Sequence, residues 1–534
     1  MPRKTKYIVV TGGVLSGLGK GIFTASLGKL LQSRGFNVVP VKIDPYVNVD
    51  AGTMNPIEHG EVFVLDDGSE VDMDLGTYER FLGINLKSEN NITTGKIYQK
   101  VIEREREGRY LGKTVQIIPH ITGEIQDWFR KVAEDYKADI VLIEIGGTVG
   151  DIENLVFLEA CRQLSLREDM IFVHCTLVPI ISVVGEQKTK PTQQSVQKLR
   201  EIGIQPHFLF CRSPVLLKPK IKEKLSLFCG INEGNVISGP DLDNIYKLPL
   251  VLEGQGVTKK VLDKLGLMPR KKDMKEWEAL VRKMGNAKKS VNIAITGKYT
   301  ELHDSYVSIM ESLKSSCGNL GVKLKIKWIE TTDIENKKVK VSAALKGMDG
   351  IIVPGGFGPR GTEGKIECIR YARENRIPFL GLCYGFQLAT IEFARNVCGL
   401  EKADSTEIDP KTPNPVIDLL PEQRKIYKKG GTMRLGGHDV LIRKGTMAHR
   451  IYGSLKTRER FRHRWEFVPA YKEKIECKGL VFSGHDKSGE IMQILELKQH
   501  PFFMASQFHP EFTTRVLKPN PLFLNFMRAA ARNP

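Results

Sequence analysis

Two stretches of this chain carry side chains whose types and spacing suit nucleophilic chemistry. Gly381-Leu-Cys-Tyr-Gly385 has the glycine-x-nucleophile-x-glycine form of a sharp strand-to-helix turn. Cys383 would sit at a helix N-terminus there, a setting that favours the thiolate. Far downstream, Gln507-Phe-His-Pro-Glu511 places His509 and Glu511 two residues apart, and an extended backbone turns both side chains to one face. The histidine can then act as base while the carboxylate orients it, which makes Cys383, His509 and Glu511 a candidate triad. Val353-Pro-Gly-Gly-Phe-Gly358 is the candidate source of backbone N–H groups for an oxyanion.

A second chemistry is written near the start. A β-branched run from Tyr7 enters a turn with glycines at Gly12, Gly13, Gly17 and Gly19, followed by Lys20 and a helix. Backbone N–H groups, an ammonium and a helix N-terminus together suit the phosphates of a nucleoside triphosphate. The spacing from Gly13 to Gly19 is one residue longer than the common phosphate-loop pattern, and Gly21 stands where Ser or Thr would reach magnesium. Oxygen ligands must then come from elsewhere. Asp74 and Glu144 are the natural replacements; the alternative for either is a surface salt bridge. Lys188 and Lys190 flank a Thr-Lys-Pro-Thr segment that suits a second triphosphate, the alternative being a solvated basic loop.

These groups need a scaffold. Phe23, Leu27, Leu30 and Leu31 fall on one face of a helix ending near Gly35, and Asn37–Ile43 reads as a buried strand. Apolar runs at Asp139–Ile145, Met170–Val178, His207–Cys211 and Asn235–Ser238 alternate with helical stretches, which predicts an α/β, doubly wound, mostly parallel sheet. In such sheets ligands sit beyond the carboxyl ends of the strands, where Lys42-Ile-Asp44, Gly146–Glu153, Glu186–Gln193 and Asp241 all fall. Met268–Ser290 turns helical and basic and reads as a linker; Val291–Gly297, Val322–Ile329, Gly350–Val353 and Pro378–Leu382 then read as strands of a second α/β domain. The expected division is 1–267, linker 268–290, and 291–534.

Composition narrows the class. With 534 residues, two large domains are the default. The longest apolar run, Met170–Val184, is too short to cross a bilayer, and no apolar signal region precedes the first strand, so a cytoplasmic protein without membrane partners is expected. Nine cysteines without a CxxC pair argue against a disulfide framework or a structural zinc site. A net charge of +18 favours polyanions, and by itself leaves nucleic acid and nucleotides both open.

The first half resembles the CTP synthase family. The resemblance rests on Thr11-Gly-Gly, Leu18-Gly-Lys-Gly-Ile22, Lys42-Ile-Asp-Pro-Tyr46, Gly52-Thr-Met, His59-Gly-Glu-Val, Asp74-Leu-Gly, Val115–His120, Glu144–Glu153 and Lys188–Gln193, and spans the whole first domain. It implies that Gly17, Leu18, Gly19, Lys20, Gly21, Ile22, Asp74, Asp241 and Leu242 bind ATP, with Asp74 and Glu144 on Mg2+. It further implies UTP, or the inhibitory product CTP, at Ser16, Asp151, Ile152, Glu153, Lys188, Thr189, Lys190, Pro191, Thr192, Gln193 and Lys224. Gly17 and Pro240 depart from the usual pattern, which has serine and lysine there.

The second half is similar to class I glutamine amidotransferases, which implies a thioester on Cys383 and release of ammonia. Glutamine contacts are implied at Gly356, Tyr384, Gly385, Phe386, Gln387, Glu407 and Arg464; Tyr384 and Phe386 replace the usual leucine and methionine. The family resemblance also implies a GTP-responsive lid at Phe357–Gly364 with Arg360, an ammonia passage at Pro56, His59 and Val62, and a homotetramer. The function expected is ATP-dependent amination of UTP to CTP with nitrogen from glutamine. The rival from another class is a partitioning-type ATPase with a DNA-binding surface, against which the cysteine-histidine-glutamate set speaks; a nearer one is a different glutamine-dependent amidoligase.

Overall fold

Strand β1 (Lys6–Gly12) is buried along nearly its whole length, as a β-branched run covered on both faces must be, and leads through the glycine-rich turn into helix α1 (Lys20–Ser33). The computed structural model describes residues 4–54, 60–181, 185–270, 273–297, 303–419 and 433–532. It divides into two compact units, one of residues 1–51 and 77–278, the other of residues 52–76 and 279–534.

In the first unit, β2 (Val38–Asp44), β3 (Asn91–Thr93), β4 (Ile140–Ile145), β5 (Met170–Leu177), β6 (Phe208–Ser213) and β7 (Val236–Pro240) join β1 in a seven-stranded sheet of order β7-β6-β5-β1-β4-β2-β3. Every pairing is parallel. All six residues of β4 are buried, the pattern of a strand covered on both faces. Phe23, Leu27, Leu30 and Leu31 of α1 are at most 1% exposed, as their spacing predicts. The predicted strands recur within one or two residues of their expected ends. The chain leaves β1 for β2 on one side and later passes from β4 to β5 on the other, so the loop after β1 lies where the winding reverses. Helix α2 (Lys190–Glu201) follows β5. Within the expected linker, Lys275–Gly285 is helical, and Trp277 is buried with Nε1 donating to the Tyr246 carbonyl at 2.9 Å.

The second unit holds a nine-stranded sheet. Its parallel part comprises β8 (Ser290–Gly297), β9 (Lys323–Glu330), β10 (Gly350–Val353) and β11 (Phe379–Leu382), the four strands the sequence predicts. Five more complete it: β12 (Arg434–Ile442), β13 (Lys456–His463), β14 (Leu480–His485), β15 (Met492–Leu497) and β16 (Phe503–Ser506), in the order β9-β8-β10-β11-β16-β15-β14-β12-β13. Beyond β16 the pairings are antiparallel. Helix α3 (Thr362–Glu374) follows β10, and α4 (Tyr384–Asn396) follows β11.

An antiparallel hairpin of Val62–Val64 and Glu70–Asp72 belongs to this second unit although it comes from the first hundred residues. The Phe63 ring meets Phe512 edge-on at 5.0 Å, and buried Arg460 donates to the Val64 carbonyl at 3.0 Å. A Cβ on Gly436 would come within 2.5 Å of the Gly68 nitrogen, so the two backbones can approach only because no side chain intervenes.

Candidate active site

Cys383 occupies the turn between β11 and α4 with φ 50°, ψ −94°, a backbone conformation a non-glycine residue adopts only when its surroundings enforce it. The enforcement is visible. Its N–H donates to the Ser506 carbonyl at 2.7 Å, and both flanking glycines are packed too tightly for a side chain: a Cβ on Gly385 would lie 2.2 Å from the Val353 carbonyl oxygen, and one on Gly381 would lie 2.7 Å from that of Gly385. The thiol faces the Arg462 carbonyl at 3.5 Å and receives an N–H from Gln507 Nε2 at 3.6 Å.

His509 Nδ1 meets Glu511 Oε1 at 2.7 Å, which orients the ring and leaves Nε2, buried and without another hydrogen-bond partner, for the nucleophile. Burial disfavours the imidazolium, but the Glu511 carboxylate and Cys383 outweigh it and raise His509 to about 10. The ring stacks on Phe512 at 4.9 Å, and its backbone N–H donates to Arg460 at 2.8 Å. The candidate triad is therefore assembled in one unit from β11, the segment after β16, and supports on β13.

The neighbouring predicted residues divide. Glu407 Oε1 accepts the Gly358 N–H at 3.0 Å, tying the β10 loop to the floor of the site. Tyr384 is buried, with its hydroxyl joined to Thr362 Oγ1 at 2.8 Å and to the Gly358 carbonyl at 3.0 Å, and burial pushes its ionisation far up. Gln387 donates to the Trp465 carbonyl at 2.9 Å, while the Phe386 side chain is wholly buried in the core against Phe482. Arg464 is half-buried; Arg360 and Gly356 are exposed. It is Gly355 whose Cβ would press on the imidazole, at 2.9 Å from His509 Cε1. Gln507 and Arg462 are additions to the predicted set, whereas Gly355 belongs to the Val353–Gly358 loop already singled out for the oxyanion. Gln507 opens the quoted histidine motif, but its reach to the thiol depends on tertiary placement. Val62 is buried in the hairpin, and Pro56 and His59 lie outside the described residues.

The predicted nucleotide residues other than Asp74, which falls in the second unit, belong to the first, and the loop after β1 leaves a strand's carboxyl end. Val14 to Gly17, Ser16 included, are exposed, while Lys20 is buried and donates to the Gly147 carbonyl at 3.1 Å. Beside this loop lies a cavity of about 90 Å³ lined by Gly19, Ile22, Phe210, Leu242 and Ile245. Arg212, which the sequence reading does not single out, lines it too, bridging Asp241 at 2.7 Å.

Glu144 at the end of β4 is 1% exposed, is hydrogen-bonded by the Tyr78 hydroxyl, and has Lys42 Nζ at 4.0 Å. Asp74 opens the helix Met73–Leu82 with its N–H on Asp72 Oδ1 at 2.8 Å. Among the described residues no group of three or more His, Cys, Asp or Glu side chains could hold a metal ion. Glu144, a hard carboxylate at the carboxyl end of β4, is of the ligand type that magnesium takes together with phosphate oxygens.

At the head of α2, Lys188 pairs with Glu186 at 2.7 Å; its hydrogen bond holds the Glu186 carboxyl below the usual range, and Lys218 and Lys224 add to the effect. Lys224 is exposed on the helix Pro219–Cys229 that follows β6. Thr189 and Thr192 are buried, with Thr192 Oγ1 donating to the Leu177 carbonyl at 2.9 Å, so these hydroxyls also build the turn. Lys190 is exposed, and Pro191 and Gln193 are half-buried. Asp151 Oδ2 accepts the Thr148 N–H at 2.9 Å, which leaves Ile152 and Glu153 projecting. No helix among the described residues is long and apolar enough to cross a membrane.

Comparison with known proteins agrees with both halves. The family described as CTP synthase N-terminus matches residues 6–267, and that described as glutamine amidotransferase class-I matches residues 301–529. A CTP synthase of Thermococcus gammatolerans is 57% identical over 530 residues, covering 98% of each chain. One of Archaeoglobus fulgidus is 55% identical, covering 99% of this chain and 98% of the relative. Among solved structures, the Trypanosoma brucei CTPS glutaminase domain with bound acivicin is 37% identical, with a TM-score of 0.43, covering 46% of this chain and 95% of that one. With both family models matched along most of their halves and relatives at 55–57% identity matched along nearly their whole length, this chain belongs to the CTP synthase family.

Proposed function

We propose that the chain converts UTP to CTP, drawing nitrogen from glutamine and energy from ATP. The observation that carries this is the oriented Cys383–His509–Glu511 set on the same chain as the Gly12–Lys20 phosphate loop. Cys383 Sγ attacks the glutamine amide carbon; the C–N bond breaks as His509 gives its proton to the departing nitrogen, and ammonia leaves a thioester. Water, deprotonated by the same imidazole, then releases glutamate. Glu407 and Arg464 hold the amino-acid end, and N–H groups from the Gly355–Gly358 loop and the residue after Cys383 serve the oxyanion.

In the other unit the Gly17–Ile22 loop and Lys20 hold the ATP phosphates, and the cavity beside Ile22 and Arg212 takes the base. Asp74 and Glu144 are the residues that would hold Mg2+, which when bound neutralises phosphate charge. Lys188 and Lys224 bind the pyrimidine triphosphate. The ATP γ-phosphoryl passes to the 4-oxygen of UTP, with Lys20 countering the charge that develops; ammonia adds at C4 and phosphate departs, giving CTP. Free ammonia is largely protonated at neutral pH, so it is passed on without entering bulk water. GTP stimulation at the Arg360 lid, inhibition by CTP near Asp151–Glu153, and a homotetramer complete the proposal. The decisive experiment is Cys383→Ala. CTP synthesis from glutamine should vanish while synthesis from ammonium persists; loss of both, or of neither, would overturn the reading.

A further inference from the structure

Beneath the phosphate loop runs a buried chain of three side chains that the chemistry above does not use. Thr11 Oγ1, at the end of β1, lies 2.8 Å from His174 Nδ1, and His174 Nε2 lies 2.5 Å from Ser195 Oγ on α2. His174 is wholly buried, Thr11 is 1% exposed and Ser195 7%. Burial, helped by the charge of Lys20, lowers His174 to about 3, so the ring is neutral. A neutral imidazole has one N–H for two hydroxyl partners; one hydroxyl must donate to it and the other accept, which makes the two bonds a directional series.

The loop backbone rests directly on this series. A Cβ on Gly13 would fall 1.5 Å from Ser195 Oγ and 2.7 Å from His174 Nε2, and the next residue, Val14, is held at φ 79°, a left-handed conformation that a β-branched residue rarely adopts. Ser195 in turn sits one and a half turns into the helix that begins at Lys190. The loop and the head of α2 are therefore joined through one side chain.

We propose that His174 is a positioning residue that ties the phosphate loop to helix α2, so that nucleotide binding at one is energetically coupled to nucleotide binding at the other. The inference rests on the proposed assignment of ATP to the loop and UTP to the head of α2. Displacing either end breaks a hydrogen bond in a dry site, so each nucleotide favours the arrangement the other needs, and the coupling is reciprocal.

The test is calorimetric titration of the full chain with a non-hydrolysable ATP analogue and magnesium, without and with saturating UTP. In the wild type UTP should tighten analogue binding by about fivefold or more. His174→Phe, Ser195→Ala and Thr11→Val should each bring that factor close to one, and Thr11→Ser, which keeps the hydroxyl, should restore it. A role in packing alone would weaken both nucleotides and leave the factor intact. Unchanged basal glutamine hydrolysis at Cys383 checks that each variant is folded, and Thr11→Val is the mildest should His174→Phe fail to fold. A wild-type factor near one, or an undiminished factor in Ser195→Ala and Thr11→Val, overturns the proposal. Lys20→Ala and Lys188→Ala separate the levels: if they bind the analogue and UTP like the wild type, the site assignment has failed; if they lose binding while the coupling survives the other substitutions, only the role of His174 has.

Discussion

Arg462 Nε donates to Glu70 Oε1 at 2.7 Å, and the carboxylate it holds is only 3% exposed. The same arginine offers its carbonyl to the Cys383 thiol. Glu70 should therefore govern the glutaminase although it comes from the first hundred residues. Glu70→Ala leaves the guanidinium partly buried without this partner, and a displaced carbonyl beside the nucleophile should lower glutamate release by about tenfold or more. The check is single-turnover glutamate formation with saturating glutamine; an unchanged rate would separate the hairpin from the chemistry.

The His509–Glu511 pair predicts a pH dependence of stability. Between about 6.5, where an unperturbed histidine loses its proton, and about 10, where His509 does so in the folded chain, the native state holds a proton that the unfolded chain has released. Stability from this pair is thus complete below about 6.5 and falls as pH rises through about 10. Melting temperatures of wild type and Glu511→Gln should differ most near the lower limit and converge toward the upper. A gap that widens with pH would contradict the assignment.

Gly385→Ala should be among the most damaging conservative changes in the second unit. The new methyl would meet the Val353 carbonyl oxygen at 2.2 Å, a backbone atom that cannot swing aside. A loss of about 1–3 kcal/mol is expected, with glutaminase activity lost because Val353 opens the candidate oxyanion loop. Gly254→Ala is the contrast: its Cβ meets nothing within 4 Å, at a helix end, and it should be neutral or slightly stabilising. Paired denaturation curves decide it.

Lys20→Ala and Asp74→Ala should abolish CTP formation from glutamine and from ammonium alike, because both nitrogen sources share the phosphorylation step. The assay is CTP yield with each source at saturating UTP and ATP. Persistent synthesis from ammonium in either variant would remove that residue from the proposed role.

What the sequence makes legible is what local chemistry dictates. The run into Gly12–Lys20 and the elbow at Cys383 announce themselves because glycine is needed at fixed offsets from a reactive side chain. The buried parallel strands do so because both faces are apolar. Strand β13 does not: Lys456-Thr-Arg-Glu-Arg-Phe-Arg-His463 is mostly charged, and its buried Arg460 donates to a carbonyl from nearly four hundred residues away. Strand β12 is equally obscure, with two glycines and only three of its nine residues buried. His174 reads as one polar residue in an apolar run; its meaning lies in partners 163 and 21 residues distant. Arg212 and Gln507 were likewise in view, but only the folded chain turns them toward a cavity or a thiol.

The hairpin at residues 62–72 has a consequence for cutting the gene. Because 52–76 is counted with the later residues, the polypeptide passes from one unit to the other at three places, after 51, 76 and 278. No single break liberates both units whole. A fragment beginning near residue 279 would carry Cys383, His509 and Glu511 yet leave Phe512 and Arg460 without the hairpin they pack on, whereas supplying 52–76 in trans as a separate peptide should restore the covering. Split-gene complementation of this enzyme would have to respect the sequence's excursion rather than its apparent midpoint.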